Sequence, residues 1–161
     1  MNGPQRMPQS QLPMRYFEDL IEGEERQSGA RQVTEAQLLE FAREYDPQYF
    51  HADPQAATRS IFGGITASGI FTMAVWRQLD HQICGDIAWI CGVAWDDVRF
   101  PHAVRPGDFL RARARCLSKR PSGKDRGRGV VVFQYTLLNQ HEQTVFTCRS
   151  TNLVERRPPD A

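Results

Sequence analysis

The chain has 161 residues, of which 40% are hydrophobic and 24% charged, and its formal net charge is +1. This length and composition predict a single globular domain with a sizeable core. The balanced charge gives no reason to expect a nucleic acid or a membrane surface as partner, and no apolar run approaches the roughly 18 residues of a membrane helix. We expect a leader over 1–15, one domain over 16–155 and a frayed tail over 156–161. Because the leader lacks the apolar centre of a signal peptide, we expect the protein in the cytoplasm.

The first predicted elements are a strand candidate over 24–33 and an amphipathic helix over 34–45. Thr34 and Gln37 have the spacing of a capping box, and apolar residues then recur at helical intervals. Pro47 ends this helix, because a proline disfavours helical backbone at the residue before it.

A long ordered loop is predicted over 46–66, with one helical turn around 53–57. A loop of this length in a compact domain is usually functional or disordered, and its aromatic content argues against disorder. Residues 69–82 then form a helix that is apolar around nearly its whole circumference. Such a helix must be buried on most sides, so another element has to wrap it.

The second half of the chain predicts that wrapping layer. Four long strands are expected, over 87–100, 109–118, 130–138 and 144–154. In the first of them, Trp89, Cys91, Val93 and Trp95 fall on one face. Pro106 and Gly107 have the order that a type II turn prefers. The economical arrangement is an α+β fold in which one antiparallel sheet curls around the apolar helix.

Neither cysteines nor histidines show the spacing of a metal site. The four cysteines are Cys84, Cys91, Cys116 and Cys148, and they match no zinc or redox motif. We expect them to be small buried apolar side chains, and we expect no bound metal.

Asp46 and His51 are the first candidates for chemistry. A carboxylate and an imidazole held together can polarise one water molecule and pass protons in both directions near neutral pH. The alternative is a helix-ending aspartate beside a surface histidine, and this pair alone favours that alternative.

The Gly-rich segment 63–69, which leads into the apolar helix, favours the catalytic interpretation of Asp46 and His51. The free N–H groups and the positive dipole end of a buried helix N-terminus can stabilise an enolate oxygen. Gly69 has no side chain, so a ligand carbonyl could approach its N–H. In the simpler alternative, Ser68 or Thr66 caps the helix and the glycines turn the chain.

Several segments together resemble the MaoC-like dehydratase family, which includes the (R)-specific enoyl-CoA hydratases. They are 46–53, Phe62-Gly63-Gly64, Ala67-Ser68-Gly69, Arg99-Phe100-Pro101, 104–108 and Asn139-Gln140. The resemblance implies a hot-dog fold, a curved antiparallel sheet around a long central helix.

The resemblance also implies roles for individual residues. Asp46 and His51 match the catalytic pair that holds the attacking water, and Gly69 matches the residue whose N–H polarises the thioester carbonyl. The other candidate substrate-binding residues are Ser68, Gln48 and Gly64.

The chain departs from the familiar family motif at two positions. The family has Asn two residues after the aspartate, followed by Pro, and here these residues are Gln48 and Tyr49. Gln48 still offers an amide on a longer arm. The departure leaves the choice of substrate open.

The leading hypothesis is the cofactor-free, reversible addition of water to a trans-2-enoyl-CoA, which makes the protein a hydro-lyase. The alternatives are a hot-dog acyl-CoA thioesterase and a non-catalytic acyl-thioester-binding subunit. The resemblance further implies a homodimer or a higher even oligomer.

A basic stretch over 111–128 holds eight Lys or Arg and one acid. Strand alternation favours a solvated face for its first three arginines. The remaining basic residues are candidates for contact with the phosphates of coenzyme A: Lys119, Arg120, Lys124, Arg126 and Arg128.

Five bulky residues could shorten an acyl tunnel, which hints at short or branched acyl groups. They are Tyr49, Phe50, Phe62, Phe71 and Trp76.

Overall fold

The computed structural model describes residues 14–159. Apart from Met14 and Arg15, the expected leader lies outside the described residues, as do the last two residues of the expected tail. Within the described range, Arg156 and Arg157 form ion pairs with Glu18 and Asp19. No helix in this part of the chain is long and apolar enough to cross a membrane.

Helices occupy the first half of the described chain and long strands occupy the second. After a 3₁₀ turn at Phe17–Asp19, the helices are Glu35–Tyr45 (α1), Tyr49–Ala52 (α2), Pro54–Ala57 (α3) and Gly69–Cys84 (α4). The strands are Glu25–Gln27 (β1), Arg31–Gln32 (β2), Trp89–Arg99 (β3), Phe109–Pro121 (β4), Arg128–Leu138 (β5) and Thr144–Glu155 (β6).

The strands form one antiparallel sheet in the order β1-β4-β5-β6-β3, and β2 also pairs with β4. This curved sheet with α4 against one face is the predicted α+β hot-dog fold.

Local signals near the start of the domain are confirmed in part. Thr34 and Gln37 form the capping box, and α1 ends at Tyr45 as expected. The strand candidate over 24–33 is interrupted at 28–30, where the Ser28 hydroxyl accepts a hydrogen bond from the Ala112 N–H at 2.9 Å. In the long loop, α3 was expected but α2 was not.

The predicted alternation of β4 is confirmed, and the strand continues to Pro121. Its buried face consists of Leu110, Ala112, Ala114 and Cys116. The turn before it has Gly107 at φ +89°, and the Asp108 N–H donates to the Arg105 carbonyl at 3.1 Å. Pro106 and Gly107 therefore act as the sequence predicted.

Helix α4 packs on the sheet through a cluster of aromatic rings. Trp76 is completely buried, and its ring centroid lies 5.0 Å from that of Tyr135 and 5.2 Å from that of Phe146. The expectation that α4 is apolar and buried on most sides is wrong for one face, since Ile70 and Ala74 are exposed. The helix also ends at Cys84, two residues later than predicted.

Strand β3 lies at an edge of the sheet, and its predicted faces are wrong. Three shifts of register interrupt its pairing with β6. Because each extra residue in a bulge reverses the alternation, Cys91 does not share a face with Trp89. Residues 90–100 are all exposed, since this strand has a neighbour on one side only. The residues paired with buried residues of β6 are instead Trp89, Gly92 and Trp95.

Candidate active site

Asp46 lies where α1 ends, and its backbone N–H donates to the Ala42 carbonyl at 2.9 Å. Pro47 follows and prevents another helical turn. The carboxylate is therefore carried on a rigid helix end, and its side chain is 21% exposed.

His51 lies on the short helix α2 and is buried. Its Nδ1 lies 2.7 Å from the Thr66 carbonyl oxygen. Because a carbonyl only accepts, Nδ1 carries the hydrogen and donates, which leaves Nε2 of the neutral ring as an acceptor.

The free Nε2 of His51 faces the carboxylate. Its distance to Oδ2 of Asp46 is 3.8 Å. This separation is too long for a direct hydrogen bond, but one water molecule can bond to both atoms.

Ser68 joins the end of α1 to the start of α4. Its hydroxyl donates to Oδ2 of Asp46 at 2.6 Å and accepts from the Ile70 N–H at 3.2 Å. Ser68 is thus the N-cap of α4 and orients the carboxylate at the same time.

Gly69 is the first residue of α4, so its N–H has no partner within the helix. Together with His51 it lines a cavity of about 370 Å³, whose other walls include Phe50, Phe62 and Phe100. Asp46 does not belong to that lining and approaches it through His51.

The two remaining candidates differ in their position. The Gln48 amide donates to Oδ1 of Asp46 at 3.4 Å, but the residue is exposed. Gly64 lies in the loop before α4 and outside the cavity lining. The structure therefore groups Asp46, His51, Ser68 and Gly69. Gln48 lies at the solvent-exposed edge of this group.

The MaoC like domain profile matches residues 17–135, a range that includes every residue of this group. The chain belongs to the MaoC-like dehydratase family.

Two similar proteins match most of the chain. The uncharacterized protein YdeM of Bacillus subtilis is 33% identical over 126 residues, which cover 77% of this chain and 87% of YdeM. The crystal structure of a MaoC-like dehydratase from Rhodospirillum rubrum has a TM-score of 0.79 at 34% identity, covering 89% of this chain and 98% of that one.

A third relative matches a smaller region. The 3-hydroxyacyl-thioester dehydratase Z of Mycobacterium tuberculosis is 31% identical over 88 residues, 53% of this chain and 56% of that protein. The chain thus matches little more than half the length of this relative.

Two neighbours of the site in this MaoC-like domain were not anticipated from the sequence. Thr66 acts through its backbone carbonyl, which carries no sequence signal. Phe100 lies against Gly69, although the two are 31 positions apart. The motif around Phe100 supported the family resemblance without indicating this contact.

Of the residues expected to shorten an acyl tunnel, Phe50 and Phe62 line the cavity. Phe71 and Trp76 are core residues instead, and Tyr49 is exposed.

The cysteines lie away from the candidate site. Cys84, Cys116 and Cys148 are buried as expected, but Cys91 is exposed because it lies on the edge strand β3. Burial raises the pKa of Cys148 to about 12, so this thiol stays protonated at neutral pH and is a poor nucleophile.

Proposed function

We propose that this MaoC-like dehydratase hydrates a trans-2-enoyl-CoA reversibly to a 3-hydroxyacyl-CoA. The observation that carries the proposal is the 3.8 Å gap between Nε2 of His51 and Oδ2 of Asp46, next to a helix N-terminus. The family supports a lyase in general, and the name of the M. tuberculosis relative supports a 3-hydroxyacyl thioester as one partner of the reaction.

In the proposed mechanism, one water molecule bridges His51 and Asp46. The pair removes a proton from the water as its oxygen bonds to the β-carbon, and the pair returns a proton to the α-carbon. The net result is the addition of one water across the double bond. No metal or organic cofactor takes part in this proposal, and the coenzyme A thioester is the substrate.

Gly69 has the second role in the proposal. Attack at the β-carbon moves negative charge to the thioester oxygen, and the Gly69 N–H at the positive end of α4 would stabilise it. The same arrangement favours hydration over thioester hydrolysis, since the latter needs water aimed at the carbonyl carbon.

The proposal is tested by following the enoyl absorbance of crotonyl-CoA and, in parallel, the release of free thiol from saturated acyl-CoAs. Loss of enoyl absorbance without thiol release supports the hydratase. Thiol release alone would identify a thioesterase, and binding without either reaction would identify a non-catalytic subunit.

Replacing Ser68 with Ala should lower both hydration and stability. The change removes an N-cap, at a cost of about 1 kcal/mol in the free energy of unfolding, and it frees Oδ2 of Asp46. Thr34→Ala is the matched control, because Thr34 caps α1 in the same way through the Gln37 N–H. We expect similar losses of stability from urea unfolding but slower hydration with Ser68→Ala alone. Equal hydration rates in the two variants would argue against a role of Ser68 in orienting Asp46.

We also propose that part of the basic stretch over 111–128 contacts the phosphates of coenzyme A. Lys119 donates to the carbonyls of Phe17 and Glu18, and Arg128 pairs with Asp125. Arg120 and Lys124 line a second pocket near the β4–β5 connection. Together with Arg126 they stay the proposed contacts for the coenzyme A phosphates.

We also propose that the protein forms a homodimer, or a higher even oligomer, through the edge strand β3. Exposed edge strands with apolar side chains readily pair with another chain. The large apolar side chains exposed along β3 are Ile90, Val93, Trp95 and Val98.

We propose a cytoplasmic location as well. The four free thiols agree with it, because disulfides form mainly in oxidising compartments.

Val93→Lys should convert the proposed dimer to a monomer in sedimentation velocity at micromolar concentration. A lysine on each of two paired edges places like charges close together and blocks the apolar contact. Ile61→Lys is the control, since Ile61 is 97% exposed on a loop. If the unmodified protein sediments as a monomer, the proposed dimer is wrong. If Val93→Lys still sediments as a dimer, β3 does not form the interface.

A further inference from the structure

Phe100, which directly follows β3, places its ring against the first residue of α4. A Cβ atom added to Gly69 would lie 3.0 Å from Cζ of Phe100 and 3.2 Å from Cε1. Both distances are shorter than ordinary van der Waals contact. The ring therefore lies on the surface of the residue whose N–H is proposed to receive the thioester carbonyl.

The ring is supported on one side and open on the other. Its centroid lies 5.6 Å from that of Phe146, which is completely buried, while Phe100 itself is 47% exposed. Phe100 is therefore a wall of the cavity rather than a member of the core.

Other side chains complete the cavity around this wall. His51, Phe50 and Phe62 line it together with Val145, and the rings of Phe50 and Phe62 lie 5.4 Å apart. The volume of about 370 Å³ lies near the lower end of the range of roughly 300–1,000 Å³ found for small-molecule sites.

We propose that Phe100 determines specificity by restricting the acyl group to short chains. This inference rests on the proposed function. If Gly69 receives the carbonyl and His51 and Asp46 lie at the β-carbon, the carbons beyond it must enter the remaining cavity, and Phe100 limits that space. One methylene too many in an apolar pocket changes specificity by about 10-fold to 200-fold.

The test compares kcat/KM for four-, six- and eight-carbon trans-2-enoyl-CoA in the unmodified protein, Phe100→Ala and Phe109→Ala. Phe109 is also a half-exposed phenylalanine near this end of the sheet, but it does not line the cavity. We expect Phe100→Ala to raise the eight- to four-carbon ratio by at least about 10-fold, and Phe109→Ala to leave it unchanged. An unchanged ratio in folded Phe100→Ala would overturn the inference.

A binding measurement separates this inference from the proposed function. If the unmodified protein hydrates no enoyl-CoA, the proposed reaction fails, and calorimetric Kd values for butyryl- and octanoyl-CoA then test the wall alone. If Phe100→Ala binds octanoyl-CoA more tightly, relative to butyryl-CoA, than the unmodified protein does, the result supports a role of Phe100 in restricting chain length. An unchanged ratio of the two Kd values overturns the inference. Absence of binding to either thioester also overturns it. If Phe100→Ala does not fold, Phe100→Leu replaces it in both measurements.

Discussion

Asp46→Asn is expected to slow the hydration of crotonyl-CoA by about 10²-fold to 10⁴-fold, the usual contribution of a positioned acid or base. The amide has nearly the shape of the carboxylate but lacks its charge, so it cannot take a proton from water. An amide oxygen can still accept the hydrogen bond from Ser68, so the fold should persist. The measurement is the decrease of enoyl absorbance, with circular dichroism to verify folding.

Asp53→Asn is the matched control for this prediction. Asp53 lies seven positions later and caps α3 by accepting from the Ala56 N–H at 3.0 Å. Asparagine caps helices about as well as aspartate, so this variant should retain both stability and activity. If Asp46→Asn turned over substrate as fast as Asp53→Asn, Asp46 would have no part in the chemistry.

Trp76→Ala is expected to lower the free energy of unfolding by about 3–5 kcal/mol, the typical cost of removing a large buried aromatic side chain. The change leaves a cavity between α4 and the sheet and removes contacts with Tyr135 and Phe146. Urea unfolding followed by circular dichroism, at one protein concentration for all variants, measures the difference.

Phe109→Ala provides the comparison for this second prediction, because Phe109 is 44% exposed. Its loss of stability should be much smaller, since less apolar surface returns to water. A loss of stability below about 1 kcal/mol for Trp76→Ala would contradict the packing of α4 on the sheet, because losses this small are typical of surface positions.

Elements with local signals were predicted closely from the sequence. Thr34 with Gln37 determines the start of α1, and Pro106 with Gly107 determines the turn before β4. In both cases the necessary interactions lie within four residues, so the chain itself contains the information. The alternation of β4 was equally clear, because one of its faces is buried.

The edge strand β3 shows where such reasoning fails. Its residues alternate in the sequence, yet three register shifts against β6 decide which of them face inward. Bulges depend on the partner strand, which lies some 50 positions later, so the pattern of β3 alone could not predict them. The burial assigned to Cys91 and to one face of α4 was wrong for a related reason, since exposure depends on which elements cover a surface.

The candidate site was likewise predictable in part from the sequence and in part only from the tertiary structure. The sequence by itself determined the family resemblance, the central helix and sheet, and the selection of Asp46, His51 and Gly69. Only the tertiary structure decided that Ser68 binds Asp46 and that the Thr66 carbonyl orients His51. It also decided that Phe100 covers Gly69. These contacts join residues 15 to 31 positions apart, and their geometry follows from the packing of α1, α4 and the sheet.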